Sequence, residues 1–337
     1  MRDDAPVESV RLAAARSLDA VQKHPLADAQ LLGHTVTAAD VVSTLNGLID
    51  ASKGGDWPRQ VCDRLRLYRV DLQERLLFTG YYQPKLFASR TRTKRFRYPL
   101  YRTPDDLVDV DLGQSCPTCK GQVGTGRMQD GTLVPYYSRA EIEAGALAGR
   151  GYELAWLDDP VDAFLVHVQG SAALVYGDGV HTQIGYGGSN GRPYTSIGGL
   201  LVEQGKMSRD DVSLRTLKDY LHTHPDEQAS LLGADEHYVF FRTVAAGPIG
   251  SLGAPLTAGR SVAADPTVYP PGGVVFMHVA QPDGRQPFVT RFALIQDRGV
   301  AVDGLNHIDL FWGTGTTAEA IAGGMRNPGE LYVVLPR

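Results

Sequence analysis

The sequence predicts a mainly β chain with flanking helices, its strands closed into a barrel rather than spread as a doubly wound sheet. Two observations carry this. Apolar runs of strand length recur between Gly-rich turns, with glycine at 38 of 337 positions. Helix-type spacing is confined to the first part of the chain and to a few capped starts. A chain of this length holds roughly two domains.

In chain order, residues 9–50 read as helical. Val10, Leu12, Ala13 and Leu18 line one face, and Thr37-Ala38-Ala39-Asp40 resembles a helix-opening cap. Trp57-Pro58 marks the start of a second helix over residues 59–74, carrying Val61, Leu65, Leu72 and Leu76, before strands begin at Leu77-Phe78-Thr79-Gly80-Tyr81-Tyr82. Short strands are expected from Thr79 to Phe241, interrupted by helices opening at Ser138-Arg139-Ala140-Glu141 and Ser208-Arg209-Asp210-Asp211. Residues 163–168 are expected to form a buried strand, and Gly177-Asp178-Gly179 and Gly187-Gly188-Ser189-Asn190-Gly191 to turn the chain. Beyond Phe241, strands are expected at residues 274–277, 292–295 and 331–335, with a helix over residues 317–325.

Hydrophobic residues make up 43% of the chain and charged residues 21%, with a net charge of -5. That is an ordinary globular composition, and it argues against a disordered chain and a chain-wide basic surface for nucleic acid. No run approaches the roughly 18 apolar residues of a membrane span. Met1-Arg2-Asp3-Asp4-Ala5-Pro6 lacks the basic-then-apolar layout of a signal peptide. The expectation is a soluble chain, and export would require a leader missing from this sequence.

The common catalytic signatures are missing: no GxGxxG after a strand, no Walker loop, no HExxH and no GxSxG. Cys116-Pro117-Thr118-Cys119 lacks both the strand–helix setting of a thioredoxin motif and two further zinc ligands, which leaves a local disulfide or two free thiols, with Cys62 the odd cysteine. His222 and His224 read as a helix end. Ser171, in Gln169-Gly170-Ser171, reads as a turn or a hydrogen-bonding group, without the elbow that activates a nucleophile.

What remains is a set of polar and aromatic side chains at strand ends: Thr79, Tyr81, Tyr82, Gln169, Ser171, Tyr186, Asn190 and Tyr194. Rings stack on the apolar faces of sugars, and amides and hydroxyls read their hydroxyl and N-acetyl groups, so this set suits a polysaccharide cleft. Three acids accompany it, Asp265, Asp297 and Asp309. Asp309 lies among Ile308, Leu310, Phe311 and Trp312, where desolvation raises a carboxyl into the range of a general acid working near neutral pH.

Phe78-Thr79-Gly80-Tyr81-Tyr82-Gln83-Pro84, Tyr98-Pro99-Leu100-Tyr101, Tyr136-Tyr137-Ser138-Arg139-Ala140-Glu141-Ile142, His167-Val168-Gln169-Gly170-Ser171, Gly185-Tyr186, Asn190-Gly191-Arg192-Pro193-Tyr194-Thr195-Ser196-Ile197-Gly198 and Tyr238-Val239-Phe240-Phe241 resemble, in order, the membrane-bound lytic murein transglycosylase A family. The part carrying Asp265, Asp297 and Asp309 looks like its three-aspartate domain. The resemblance runs from Phe78 to the C-terminus.

The resemblance implies a double-psi β-barrel domain with a second, smaller β-barrel-like domain inserted in it: residues 1–80 and 241–337 for the barrel, 81–240 for the insert, with a glycan groove in the cleft. It implies cleavage of the β-1,4 bond between N-acetylmuramic acid and N-acetylglucosamine in peptidoglycan, leaving a 1,6-anhydromuramyl end, with no metal or organic cofactor. Asp309 matches the family's catalytic aspartate and Asp297 the aspartate near the reacting sugar, while Asp265 reads as structural. Thr79, Tyr81, Gln169, Gly170, Ser171, Tyr186, Asn190 and Tyr194 are the implied glycan contacts. His307-Ile308-Asp309 also resembles the His-Phe-Asp run of barrel endoglucanases and expansins. Departures are Arg298-Gly299-Val300 after Asp297, which removes a small residue beside the site, and the added charge of Asp303. The expected setting is a monomer in the cell envelope, on the periplasmic side, with glycan strands and cell-wall synthesis proteins as partners. Two alternatives stay open. A glycoside hydrolase would need a second carboxylate, with Asp178 and Asp130 as sources, and the other is a non-catalytic glycan-binding module.

Overall fold

The computed structural model describes residues 2–24, 26–31, 33–71, 75–114, 116–119, 123–280 and 288–337. The chain forms two compact units: unit 1, Met1–Gln83 with Ala246–Arg337, and unit 2, Pro84–Ala245. It is mainly β, with helices in both units.

Unit 1 begins with α1 (Val7–Lys23), which buries Val10, Ala13, Ala14 and Val21. The helical reading of residues 9–50 does not hold throughout. A hairpin of β1 (Ala29–Leu31) and β2 (His34–Val36), with Gly33 at φ +79°, separates α1 from α2 (Ala38–Ala51). The Thr37 cap is present: its hydroxyl accepts from Asp40 N at 3.2 Å, and the Asp40 carboxylate accepts from Thr37 N at 2.9 Å. The second helix is also shorter than expected. α3 (Trp57–Arg64) ends where Leu65-Arg66-Leu67 alternates apolar and polar residues, and β3 (Leu65–Arg69) pairs there with the last strand of the chain. Leu72 and Glu74 lie outside the described residues. β4 (Leu77–Gln83) follows, so Tyr81, Tyr82 and Gln83, assigned to the insert at 81–240, complete a strand of unit 1.

Unit 2 contains β5 (Lys85–Ala88), β6 (Tyr98–Tyr101), β7 (Val108–Asp111), β8 (Val123–Gln129), β9 (Thr132–Pro135), α4 (Arg139–Glu141), β10 (Glu153–Leu157), α5 (Pro160–Gln169), β11 (Ser171–Tyr176), β12 (His181–Ser189), α6 (Ile197–Glu203), α7 (Leu214–Thr223), α8 (Pro225–Ala234) and β13 (Val239–Val244). The strands form sheets in the order β13-β12-β11-β5, β10-β6 and β7-β8-β9. Isolated bridges Ser89↔Trp156 and Arg102↔Phe241 link the first two sheets.

Residues 163–168 are helix α5, not a strand. Asp159 accepts from Asp162 N at 2.9 Å, Pro160 opens the helix and Gly170, at φ +69°, closes it. Val161, Ala163, Phe164, Leu165 and Val166 are all buried, and a helix apolar on every side has no stripe to separate it from a buried strand. Ser138 caps the short α4, and Ser208 caps only a 3-10 turn, Arg209–Asp211. α7 ends at His222 and His224 as expected, whereas α6 and α8 are additional to the sequence expectation. Cys116 and Cys119 form a disulfide, and Cys62 is free.

Unit 1 resumes with β14 (Ser261–Ala263), β15 (Val274–Ala280), β16 (Phe288–Asp297), β17 (His307–Thr314), α9 (Thr316–Ala322) and β18 (Arg326–Pro336). The order is β15-β16-β14-β17-β4-β18-β3, and β15 also pairs with β18. Pairing therefore runs in a closed circuit through β15, β16, β14, β17, β4 and β18. Phe78, Val275, Met277, Phe292, Leu294, Ile308, Leu310 and Val333 of these strands are buried in a core shared with α1 and α2. Arg260, fully buried, ties the first residues to this core through paired contacts of 2.7 Å to both Asp3 carboxylate oxygens.

Candidate active site

The strand period of two divides β17 between core and chemistry. Ile308 and Leu310 turn inward, whereas His307, Asp309 and Phe311 occupy the alternate positions. β4 runs parallel to β17 with Thr79 opposite Asp309 and Tyr81 opposite Phe311. The intervening Gly80 is required by close approach: a Cβ there would stand 2.8 Å from Ala322 Cα and 2.9 Å from the Trp312 ring. β14 lies between β16 and β17, and Ala263 pairs with both Asp297 and Asp309. Two interstrand spacings, roughly 10 Å, therefore separate the two aspartate backbones.

The two carboxyl groups are served differently. Asp297 accepts from Ser251 N at 2.9 Å, Arg298 N at 2.9 Å and Tyr81 OH at 3.0 Å. Among the described residues Asp309 accepts one hydrogen bond, from the Thr79 hydroxyl at 2.9 Å. Tyr81, Leu256, Ala263 and Phe311 form an apolar cluster in this region, and the Tyr81 and Phe311 rings lie 5.2 Å apart. Burial raises both acids. Against its three donors Asp297 still lies above the ordinary carboxylate range, whereas Asp309, with its single donor and with the Asp297 charge adding to the effect of burial, is pushed up to about 7. Burial and the charges of both acids push the Tyr81 hydroxyl upward, so it stays a donor.

His307 was noted in sequence only as part of a His-x-Asp run, and it completes the arrangement. Its Nε2 lies 2.9 Å from Thr79 Oγ1 and its Nδ1 3.1 Å from the Ala301 carbonyl oxygen. Burial lowers its pKa, the Ala301 contact opposes that and the nearby Arg326 charge reinforces it. The signal for its role was the spacing, since two residues apart on a strand means one face. Asp265 accepts from Thr267 N at 2.8 Å, Thr267 Oγ1 at 2.7 Å and Gly304 N at 2.8 Å, which ties the 304 loop in place. This agrees with its structural reading. Among the described residues no three His, Cys, Asp or Glu side chains cluster as a metal site requires.

Unit 1 thus brings together Thr79, Tyr81, Asp297 and Asp309. The remaining predicted contacts belong to unit 2. Gln169 ends α5, Gly170 caps it and Ser171, buried, opens β11. Tyr186 on β12 is exposed, and Tyr194, largely enclosed, has its hydroxyl pKa raised by burial and by Asp235. Asn190 is a correction. It is fully buried, its amide donates to Tyr137 O at 2.9 Å and Glu236 O at 2.8 Å, and its oxygen accepts from Tyr238 N at 2.8 Å and Arg192 N at 3.3 Å. Its four hydrogen bonds go to its own turn and to two other backbone segments, at Tyr137 and at residues 236–238, so the amide is a structural tie with no capacity left for a glycan. Of the two alternative acids, Asp178 pairs with Arg90 at 2.8 Å and Asp130 holds a tight turn at φ 50°.

Residues 77–242 match the family model described as the MltA specific insert domain, and residues 260–335 match that of the 3D domain. Membrane-bound lytic murein transglycosylase A of Escherichia coli strain K12 is 32% identical over 279 residues, 81% of this chain and 69% of that protein. A membrane-bound lytic murein transglycosylase structure from Agrobacterium tumefaciens superposes with a TM-score of 0.88 at 31% identity, over 99% of this chain and 94% of that one. The structure of Escherichia coli MltA with bound chitohexaose gives a TM-score of 0.73 at 26% identity, over 98% and 88% of the two chains. By sequence and by fold, the chain belongs to the membrane-bound lytic murein transglycosylase A family.

Proposed function

We propose that this protein is a lytic transglycosylase that cleaves the β-1,4 bond between N-acetylmuramic acid and N-acetylglucosamine in peptidoglycan and closes a 1,6-anhydro ring, with Asp309 acting first as acid and then as base. The relatives are lytic murein transglycosylases by name, which supports the reaction class. The observation that carries the residue assignment is the contrast between the acids: Asp309, with one donor and a pKa pushed up to about 7, is poised to hold and release a proton near neutrality. Asp297, given three hydrogen bonds, is suited to remain an anion facing the positive charge that develops on the sugar.

An ordinary hydrolase needs a second carboxylate to activate water or attack the sugar. Here the substrate's own 6-hydroxyl is the nucleophile. Asp309 protonates the glycosidic oxygen as the bond to C1 breaks, then takes the proton of the 6-hydroxyl as that oxygen closes on C1. The nucleophile is already tethered to the electrophile, which favours it over free water. The chitohexaose held by the Escherichia coli relative supports an extended glycan as ligand; Thr79, Tyr81, Gln169, Gly170, Ser171, Tyr186 and Tyr194 are the contacts we assign.

The closed circuit of pairings supports reading unit 1 as the double-psi barrel, and the bridged sheets of unit 2 support a second barrel-like domain. The relatives are membrane-bound by name, which supports residence in the cell envelope; we place the enzyme on its periplasmic side, as a monomer working beside cell-wall synthesis proteins. Among the described residues no helix is long and apolar enough to cross a membrane.

Mass spectrometry of the soluble products from purified sacculi tests the reaction. Muropeptides one water lighter than the hydrolysed form support it. Reducing ends would replace it with hydrolysis, and binding without release would leave a glycan-binding module.

A further inference from the structure

Thr79 Oγ1 lies 2.9 Å from Asp309 Oδ1 and 2.9 Å from His307 Nε2, and a hydroxyl has a single proton to give. The orientation of His307 decides what that proton does. The Ala301 carbonyl oxygen, 3.1 Å from Nδ1, can only accept, so a neutral ring carries its hydrogen on Nδ1 and turns the lone pair of Nε2 toward Thr79. The ring is half-buried, and both desolvation and the Arg326 charge disfavour the imidazolium.

We propose that His307 is a positioning residue whose Nε2 lone pair receives the Thr79 hydroxyl whenever Asp309 is protonated, so that one hydroxyl serves both protonation states of the acid. This rests on the assignment of Asp309 as acid and base. In the acid state the Asp309 carboxyl donates to Thr79 Oγ1 and Thr79 donates to His307 Nε2, so every hydrogen has an acceptor. With a glycan bound, the carboxyl hydrogen leaves Thr79 Oγ1 for the glycosidic oxygen; as the carboxyl O–H bond breaks and that proton bonds to the leaving oxygen, the Thr79 proton stays on Oγ1 and turns from His307 toward the new carboxylate. When the 6-hydroxyl returns a proton to Asp309, Thr79 turns back. His307 gains and loses nothing, and the proton count is the same at the end as at the start.

The alternative shows why an acceptor is needed. Without Nε2 the Thr79 hydroxyl would donate permanently to Asp309. That would favour the carboxylate and weaken the acid, because a hydrogen bond given to the charged form lowers a carboxyl pKa. The same faces hold the other groups that act on this pair: Asp297 at the end of β16, Tyr81 on β4 and Arg326 on β18, whose charges or burial are common to every variant below.

The test is the alkaline limb of the kcat/KM profile on sacculi, which reports the acid. His307→Leu is expected to move that limb down by roughly one pH unit, and Thr79→Val to move it up by about as much, because the first fixes the donor on the carboxylate and the second removes it. His307→Gln, with an amide oxygen to accept, and Thr79→Ser, which keeps the hydroxyl, are expected to restore the limb. Opposite shifts with rescue establish the switch. Equal losses of activity with an unmoved limb, or shifts of the same sign, overturn it. Asp309→Asn in the same assay separates the two ideas: if it stays active, the assignment of Asp309 fails, whereas if it is inactive and the limbs do not diverge, only the role of His307 fails.

Discussion

The interior of unit 2 and the aspartate face of unit 1 treat buried polar groups in opposite ways. In unit 2, Asn190 uses its whole amide on backbone partners. Nearby Arg139, also buried, donates to the carbonyls of Asp235 and His237, sits 3.6 Å from the Asp235 carboxylate and lies over the rings of Phe164 and Tyr238 at 4.8 and 5.1 Å. In unit 1, Asp309 has one donor and a raised pKa. A saturated buried group resists change, and removing its partner is costly. A group left short of partners can exchange a proton at little cost, and that is where chemistry is found.

The largest expected effect on this contrast is that of Asp309→Asn. Turnover should fall by roughly 10³-fold or more, the loss of a general acid and base, with glycan binding retained in a sedimentation assay. The fold should gain. Because the Asp309 pKa is raised from 3.8 to about 7, its contribution to stability is present below the unfolded value and is lost as pH rises through the folded one. The variant carries no such loss, so its melting temperature should exceed that of the parent at pH 8 and approach it near pH 4. A variant less stable at both would place Asp309 with the saturated groups.

Next in size is Arg139→Met. Leaving Asp235 buried without its cation should cost about 3–5 kcal/mol in denaturant titrations, with turnover per folded molecule unchanged. Asn190→Ala should cost roughly 2–3 kcal/mol through several unpaired backbone groups. If instead stability held and glycan affinity fell, Asn190 would return to the glycan contacts and the contrast would break. Smallest is Tyr81→Phe, which removes one of three donors to Asp297. About tenfold or less should be lost from kcat/KM, and the circular dichroism spectrum should not change.

Much of the site was legible before the fold. Thr79 and Tyr81 alternate on a strand that reads clearly as β, and Asp309 stands out as a charge among Ile308, Leu310 and Phe311. The part that was not legible depends on register. Nothing local says that Thr79 falls opposite Asp309, or that Ala263 brings Asp297 level with it, so the difference in donors between the acids could not be foreseen. Asn190 was misjudged because its partners, Tyr137, Glu236 and Tyr238, are distant in sequence. The helix α5 was misread as a strand because burial on every side erases periodicity; its Asp159-Pro160 opening and Gly170 ending were the better signals. His307 carried its clue in a two-residue spacing.

The hydrogen bond between Thr79 and Asp309 spans 230 residues of sequence. Contacts of such separation form late, because the closure entropy of the intervening chain must be met before they contribute. During synthesis unit 2 is a continuous stretch that can fold as it emerges, whereas β4 must wait for β17 and β18, which follow unit 2 in the chain. A chain stopped before β17 therefore has Thr79 but no acid beside it. The order of translation makes an enzyme that cuts the wall inert until β17 has been made.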